Sequence, residues 1–225
     1  GAALYAHHVL LKKPRKYVMK HSYYGQSFSL AQEKAAIEKT GLPYEQIDET
    51  EKIAERCVDA ILKGQVIALF QGRFEWGPRA LGNRSIMADP RKAEMQEVVN
   101  LKIKFREAFR PFAPVVTEER SNEYFSLGKS VNQYPQRFML AVAPIPEEKH
   151  AEIPAVCHNG TGRLQTVDRE SNPLYYEIVK QFGDATGTPV LMNTSLNLRG
   201  EPLVTTPENA FFTFGESDLD LLVLD

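Results

Sequence analysis

From about residue 48 onward the chain alternates short apolar runs with amphipathic stretches. Ile53, Ala54, Cys57, Val58, Ile61 and Leu62 recur at helical intervals, Asp48 and Glu51 have the spacing of a capping box, and Gly64 marks a stop. The apolar run at 66–70 reads as a strand, and a second run at 85–88 follows a loop rich in glycine and arginine. Asp89-Pro90 has the cap-and-first-turn order of a helix start, and that helix is expected to reach about Ile103. Residues 115–116, 138–142 and 164–167 read as short strands, 173–182 as a helix, 190–192 as a strand, 207–214 as a short helix and 219–224 as a closing strand. Strands separated by helices, with some strands in direct succession, predict an α/β fold: a twisted mixed β-sheet with helices packed on it.

Residues 1–30 look different. They open as if in the middle of a helix and break at the basic stretch 12–16. They are expected to be the C-terminal remnant of a preceding domain, followed by an extended linker over 31–50 and one α/β domain over 51–225. On that reading apolar surface is exposed around residues 1–30, where another domain would pack.

Composition narrows the functions open to the chain. The 225 residues carry a net charge of −2, with 43% hydrophobic and 25% charged residues, ordinary for a globular protein with a sizeable core. Between Arg79 and Arg110, however, eight Lys/Arg stand against four Asp/Glu. A basic cluster in a near-neutral chain suits a small anion better than a nucleic-acid track. No apolar run approaches the roughly 18–20 residues of a membrane helix, and no signal-peptide pattern is present. Cys57 and Cys157 lack metal-ligand spacing, and a reducing cytoplasm is the simplest expected setting.

Four constellations carry candidate chemistry. The loop 72–84 holds Arg79 and Arg84 among Gly77, Pro78 and Gly82; arginine forks match phosphate oxygens, and the bland alternative is a turn whose arginines pair with surface carboxylates such as Glu75 and Asp89. In 102–114, Lys104 and Arg110 flank a stiff, proline-punctuated segment, whereas Lys102 and Arg106 read as a solvated helix end. In 158–167, Arg163 begins a strand after a glycine-rich loop; a plain hairpin turn is the alternative, and His158 is weak evidence for acid–base chemistry. In 192–202, Thr194, Ser195 and Asn197 follow a buried strand, with Ser195 and Asn197 on one side of it. P-loop and Rossmann signatures are missing, and Ser195 lacks a nucleophile elbow. The residues alone point to a nucleotide or polyphosphate site, with the reaction unspecified.

At GRFEWGPRALGNRSI, FRPFAPVV, GTGRLQTV and NTSLNLRGEPLVTTPENA the chain resembles the NodU-type and antibiotic O-carbamoyltransferases, over about residues 66–210. The resemblance implies a YrdC-like C-terminal domain, with residues 1–30 left from an actin/sugar-kinase-type domain that carries the family's transferase metal site. It implies binding of ATP, Mg²⁺ and carbamoyl phosphate, and formation of carbamoyl-adenylate for transfer by the other domain in cis. By position, Lys104, Arg79 and Arg110 would hold phosphates, and Arg163, Ser195, Asn197 and Thr194 would line the nucleotide site; Arg84 would either join them or be structural. No protein metal ligands are expected in these residues. The lead Cys157-His158-Asn159 departs from the family's His-Val-Asp. A membrane partner is not expected, and a homodimer is compatible with the reading. A nucleotide- or RNA-binding module without catalysis remains the alternative, on the interleaved basic and aromatic residues 104–112; the acidic net charge counts against it.

Overall fold

The computed structural model describes residues 1–128 and 134–225. In chain order the helices are α1 (Ala2–Tyr5), α2 (Leu30–Thr40), α3 (Thr50–Leu62), α4 (Met95–Val98), α5 (Pro173–Thr186) and α6 (Pro207–Gly215). The strands are β1 (Ile67–Phe70), β2 (Arg84–Ala88), β3 (Ala113–Thr117), β4 (Ala141–Pro144), β5 (Thr161–Val167), β6 (Val190–Ser195) and β7 (Leu221–Leu224). They form one mixed sheet in the order β4-β5-β3-β6-β2-β1-β7. The pairs β1/β7 and β3/β5 are parallel, and the others are antiparallel.

Alternation along the strands sorts apolar side chains onto two faces. Ile67, Leu69, Met87, Val115, Val167 and Leu191 pack with Cys57, Val58 and Ile61 of α3 and Tyr175, Ile178 and Phe182 of α5. Ala68, Phe70, Ile86, Val116, Leu164 and Met192 pack with Met95, Val99 and Ile103 on the other side. Both cores depend on central strands that are apolar on both faces, which is why 66–70 and 190–192 read as continuous hydrophobic runs.

The helix ends follow local chemistry. Asn172 caps α5, accepting from the Tyr175 amide at 3.2 Å, with Pro173 next and Gly187 at φ +76° closing the far end. Thr206 caps α6 the same way, accepting from the Asn209 amide at 3.2 Å.

Several expectations are corrected. Residues 30–40 are helical, not extended: Ser29 and Gln32 form a reciprocal capping box, and the Ala/Glu/Lys-rich sequence favours helix. The helix expected after Asp89 begins only at Met95 and widens into a π-turn over Val99–Ile103. The Asp89 carboxylate accepts from the Arg91 amide at 2.9 Å and pairs with its guanidinium, making an Asx turn in place of a helix cap. The box proposed for α3 is absent; Glu49 precedes that helix, and Asp48 accepts from Gln46 instead. Residues Gln136–Phe138 form a 3₁₀ turn, and the strand starts at Ala141.

Leu4, Tyr5, Val9, Leu10, Leu11, Tyr17 and Val18 are exposed, as expected for apolar surface near the start of the chain. Among the described residues no helix is long and apolar enough to cross a membrane.

Phe182 is fully buried between α3 and the sheet. Phe182→Ala is expected to cost about 3–5 kcal/mol of stability. Urea unfolding should show a lower midpoint with little change in slope.

Candidate anion-binding site

The Gly/Arg loop leaves β1 and returns as β2, and Gly72, Gly77 and Gly82 within it hold positive φ (+50°, +128° and +119°). Its first half pairs with an N-terminal segment: the Gly25 amide donates to the Phe74 carbonyl at 2.9 Å, and the Trp76 amide to the Ser22 carbonyl at 2.8 Å.

Its second half, residues 80–83, is held by buried polar side chains. Glu75 is wholly buried, and its Oε1 accepts from the amides of Leu81 (2.6 Å) and Asn83 (2.9 Å). The Gly82 amide donates to Ser85 Oγ at 2.9 Å. The carbonyls of Ala80, Leu81 and Gly82 accept from Asn193 (3.1 Å), Gln165 (2.9 Å) and Gln71 (2.8 Å) respectively. Tyr23 adds a second bond to Leu81 at 2.9 Å, and Asn172 ties Asn83 at 2.8 Å. Burial pushes the Glu75 carboxyl up to about 7, against the pull of its two amide donors.

The cations gather at the same end of the sheet. In the register, Arg163 of β5 lies beside Ala113 of β3, which pairs with Asn193 of β6. Alternation puts Arg163, Asn193 and Ser195 on one face, with neighbouring strands about 5 Å apart. Arg79 is exposed and makes no hydrogen bond or ion pair among the described residues, yet it lies close enough to Arg163 for the two charges to repel. The Arg163 Nε is buried with no acceptor among the described residues. Burial, then the Arg79 charge, works against the Arg163 cation.

Lys104 is buried at the end of the π-turn. Its Nζ donates to the carbonyl of Ser195, to the carbonyl of Asn197 (2.9 Å) and to Asn197 Oδ1 (2.7 Å), and lies 3.3 Å from Ser195 Oγ. Ser195 Oγ in turn donates to Asn197 Oδ1 at 2.7 Å. Desolvation, then the charge of Arg106, pushes the Lys104 ammonium down to about 7.

The structure therefore brings together Lys104 with Ser195 and Asn197, and Arg79 with Arg163. Arg110 sits further out, half-exposed and paired with Glu107 at 2.8 Å. Arg106, read from the sequence as a solvated helix end, is half-buried beside Lys104; its Nε donates to Asn100 Oδ1 at 2.7 Å, and its guanidinium stacks over Phe112 at 5.0 Å. The signal for it was its two-residue spacing from Lys104.

Arg84 is a correction: it is wholly buried, away from the exposed cations. Its guanidinium lies 3.7 Å over the Phe70 ring and donates to the carbonyls of Gln71 (2.6 Å) and Asn83 (2.7 Å). Thr194 alternates to the sheet face opposite Ser195. Glu75 is no surface carboxylate, and Asp89 pairs with Arg91. The residues around His158 form the plain hairpin turn, with Asn159 and Gly160 at φ +50° and +71° and the amide of Thr161 donating to the His158 carbonyl at 3.0 Å. A separate cleft of about 720 Å³ is lined by Lys20, Arg137, Glu118, Glu119, Asp168 and Glu170 among others. Its mixed charge, with Arg137 already bound to Glu118 and Asp168, suits a polyanion less well than the arginine pair does.

Fold and site together define an α/β domain that concentrates unneutralised cations at one sheet end. Residues 58–225 match the family model described as Carbamoyltransferase C-terminus, and the chain belongs to that family. It is 47% identical over 180 residues to nodulation protein NolNO of Sinorhizobium fredii, covering 80% of this chain and 26% of the relative. It is 45% identical over 179 residues to nodulation protein NolO of Bradyrhizobium diazoefficiens, covering 79% of this chain and 32% of the relative. The chain thus spans only about a quarter to a third of the length of these relatives. Among solved structures it is similar to E. coli YciO (TM-score 0.53, 14% identity, 79% of each chain). It is also similar to full-length HypF in its phosphate- and nucleotide-bound form (TM-score 0.53, 14% identity, 80% of this chain and 25% of that one). These likenesses establish the YrdC-like fold.

Two outcomes follow from the site. A Cβ at Gly82 would lie 2.5 Å from Tyr175 Cδ1, at φ +119°. Gly82→Ala is expected to lower stability by about 2–4 kcal/mol in urea unfolding, through overpacking and backbone strain together. For Lys104 the folded value of about 7 lies below the ordinary 10.5, so the unfolded chain binds more protons between those values. Stability relative to Lys104→Met should therefore rise as pH increases from about 7 to about 10, with the burial penalty full below that window. Parallel urea titrations of the two proteins across the window check the sign.

Proposed function

We propose that this domain binds ATP and carbamoyl phosphate and forms carbamoyl-adenylate, the activated intermediate of a carbamoyltransferase. The observation that carries the reading is the pair Arg79 and Arg163: two cations close enough to repel, neither with a carboxylate partner among the described residues, one with a buried donor that has no acceptor there. Like charges left unneutralised at a sheet end are stabilised by a polyanionic ligand, and a guanidinium fork fits phosphate oxygens. Family membership supplies the reaction class. The nucleotide-bound form of HypF is compatible with a nucleotide on this type of chain.

In this reading Arg79 and Arg163 hold phosphate oxygens of ATP, and Lys104 exchanges one of its protein oxygens for a ligand oxygen. Ser195 and Asn197 fix Lys104 and line the nucleotide. Arg106 and Arg110 extend the positive field outward. Water cleaves carbamoyl phosphate to carbamate and inorganic phosphate; a carbamate oxygen then attacks the α-phosphorus of ATP, forming carbamoyl-adenylate as the bond to the bridging α–β oxygen breaks and pyrophosphate leaves. The side chains supply alignment and charge stabilisation, without a covalent enzyme intermediate. Mg²⁺ would arrive on the triphosphate oxygens and share their charge; among the described residues no group of three or more His, Cys, Asp or Glu could hold a metal ion. Transfer of the carbamoyl group belongs to a further domain in cis, a reading supported by the exposed apolar residues 4–18 and by the greater length of the relatives.

Incubation of this chain with Mg²⁺–ATP and carbamoyl phosphate should release pyrophosphate, and omission of either substrate should abolish the release. Arg79→Ala and Arg163→Ala should each lower the rate at least about tenfold. Release without carbamoyl phosphate, or full activity in both variants, would sink the reading.

A further inference from the structure

The loop that carries Arg79 is closed on itself by one carboxylate. Glu75 and Asn83 are eight residues apart, and the Glu75 Oε1 joins them at 2.9 Å while also accepting from the Leu81 amide at 2.6 Å. Arg79 stands at the midpoint of the closed segment. Its side chain is exposed and makes no hydrogen bond or ion pair among the described residues, so no other side chain sets its direction. That direction therefore comes from the backbone of the loop. The carbonyls of residues 80–82 are held from outside the loop, by Asn193, Gln165 and Gln71. The amides of Leu81 and Asn83 are held from inside it, by Glu75.

Glu75 makes no contact suited to a ligand. It is wholly buried, and its second oxygen has no hydrogen-bond partner among the described residues. An unpaired buried carboxyl oxygen is costly, so retention of an acid at this position calls for a return elsewhere. A closed, fixed path for the arginine is that return. We infer that Glu75 is a positioning residue: it aims Arg79 at the bound anion by clasping the Leu81 and Asn83 amides. The inference rests on the anion-site reading above and deepens it, because it names the group that gives the exposed arginine a fixed approach.

The test uses the chain as it stands, with tripolyphosphate as the anion and two readouts. The first is amide hydrogen exchange at Leu81 and Asn83, with the core amides of β6 as a reference for global stability. Glu75→Ala should raise exchange at the two loop amides by about a hundredfold relative to that reference. The second is tripolyphosphate affinity by calorimetry. Glu75→Ala should weaken it about tenfold, as expected for one misdirected charge-assisted contact. It should weaken it no further when Arg79 is already alanine, since the two substitutions then remove the same contact. Glu75→Gln keeps an oxygen that accepts from both amides, and should retain the loop protection and most of the affinity. It also provides the test if the alanine variant does not fold.

Equal losses from Glu75→Ala with and without Arg79 would overturn the inference, because Glu75 would then act independently of that arginine. Loss of affinity in Glu75→Gln with the loop amides still protected would overturn it as well, since charge and not position would be the cause. Failure of the unaltered chain to bind tripolyphosphate would overturn the anion-site reading and take this one with it. That result is distinct from the case in which the unaltered chain and Glu75→Ala bind equally well, which removes the positioning role alone.

Discussion

The grip of buried polar side chains on the backbone of residues 80–83 is the constraint on which the rest of the site depends. A loop that crosses the end of a sheet would ordinarily leave its amides and carbonyls to water. Here Ala80, Leu81 and Gly82 are buried or nearly so, and each needs a protein partner. Glu75, Ser85, Asn193, Gln165 and Gln71 supply those partners from the loop itself and from four strands or strand ends. The network couples the sheet register to the loop: a slip of one residue in β5 or β6 would turn Gln165 or Asn193 to the opposite face and leave loop carbonyls unpaired. Register, loop path and arginine position are therefore one structural decision.

The charges are arranged on a complementary principle. Arg84 lies in the same motif as Arg79, but it is spent on carbonyls and an aromatic ring inside the fold, with Glu75 and Glu33 helping to keep it charged. Burial pushes it down only to about 10, so it remains a cation at neutral pH. Arg79 and Arg163 are the reverse case: among the described residues neither pairs with a carboxylate, and they lie close enough for their charges to repel. Two arginines five residues apart thus take opposite roles, one stabilising the root of the loop and the other presented by it. Lys104 is intermediate, with its donors engaged by the turn after β6 and its charge weakened by burial. Such a group responds to the arrival of an anion more readily than a fully solvated lysine, because the ligand restores the stability of the charged form that burial removed.

Much of this was legible in the sequence. The two-faced apolar runs gave β1 and β6, the spacing of Ile53 to Ile61 gave α3, and the apolar spacing of 173–182 gave α5. That Ser195 and Asn197 share a side was also visible, since residues two apart on an extended chain do so; their bonds to Lys104 were not. What the sequence concealed depended on competition between local partners. Asp89 could cap a helix or bind Arg91, and the pairing with Arg91 prevailed. Arg106 looked like a helix-end cation because its stacking on Phe112 and its bond to Asn100 arise only from tertiary packing. Glu75 looked like a surface carboxylate because a single acidic residue among glycines carries no periodic signal. Gln165 and Asn193 did leave a trace: each is a polar residue at a position that alternation assigns to the core. In a two-faced sheet such an interruption identifies a side chain that needs a buried partner, here the loop.

The same reasoning separates stability from function within one motif. A carboxylate with an unpartnered oxygen in the interior is a poor choice for stability alone, since an apolar side chain of similar size would avoid its desolvation. Its presence makes sense where a backbone must follow one path, because hydrogen bonds specify direction and apolar contacts do so weakly. The Gly82 site points the same way. Its positive φ and the 2.5 Å approach of Tyr175 to an imagined Cβ leave room only for glycine, so the loop is pressed onto α5 while Glu75 draws it closed. A loop held from outside by steric exclusion and from inside by a carboxylate has little freedom left. On the proposed reading, an exposed arginine at its apex would meet a ligand without first losing backbone entropy, the physical advantage of building an anion site on a clasped loop.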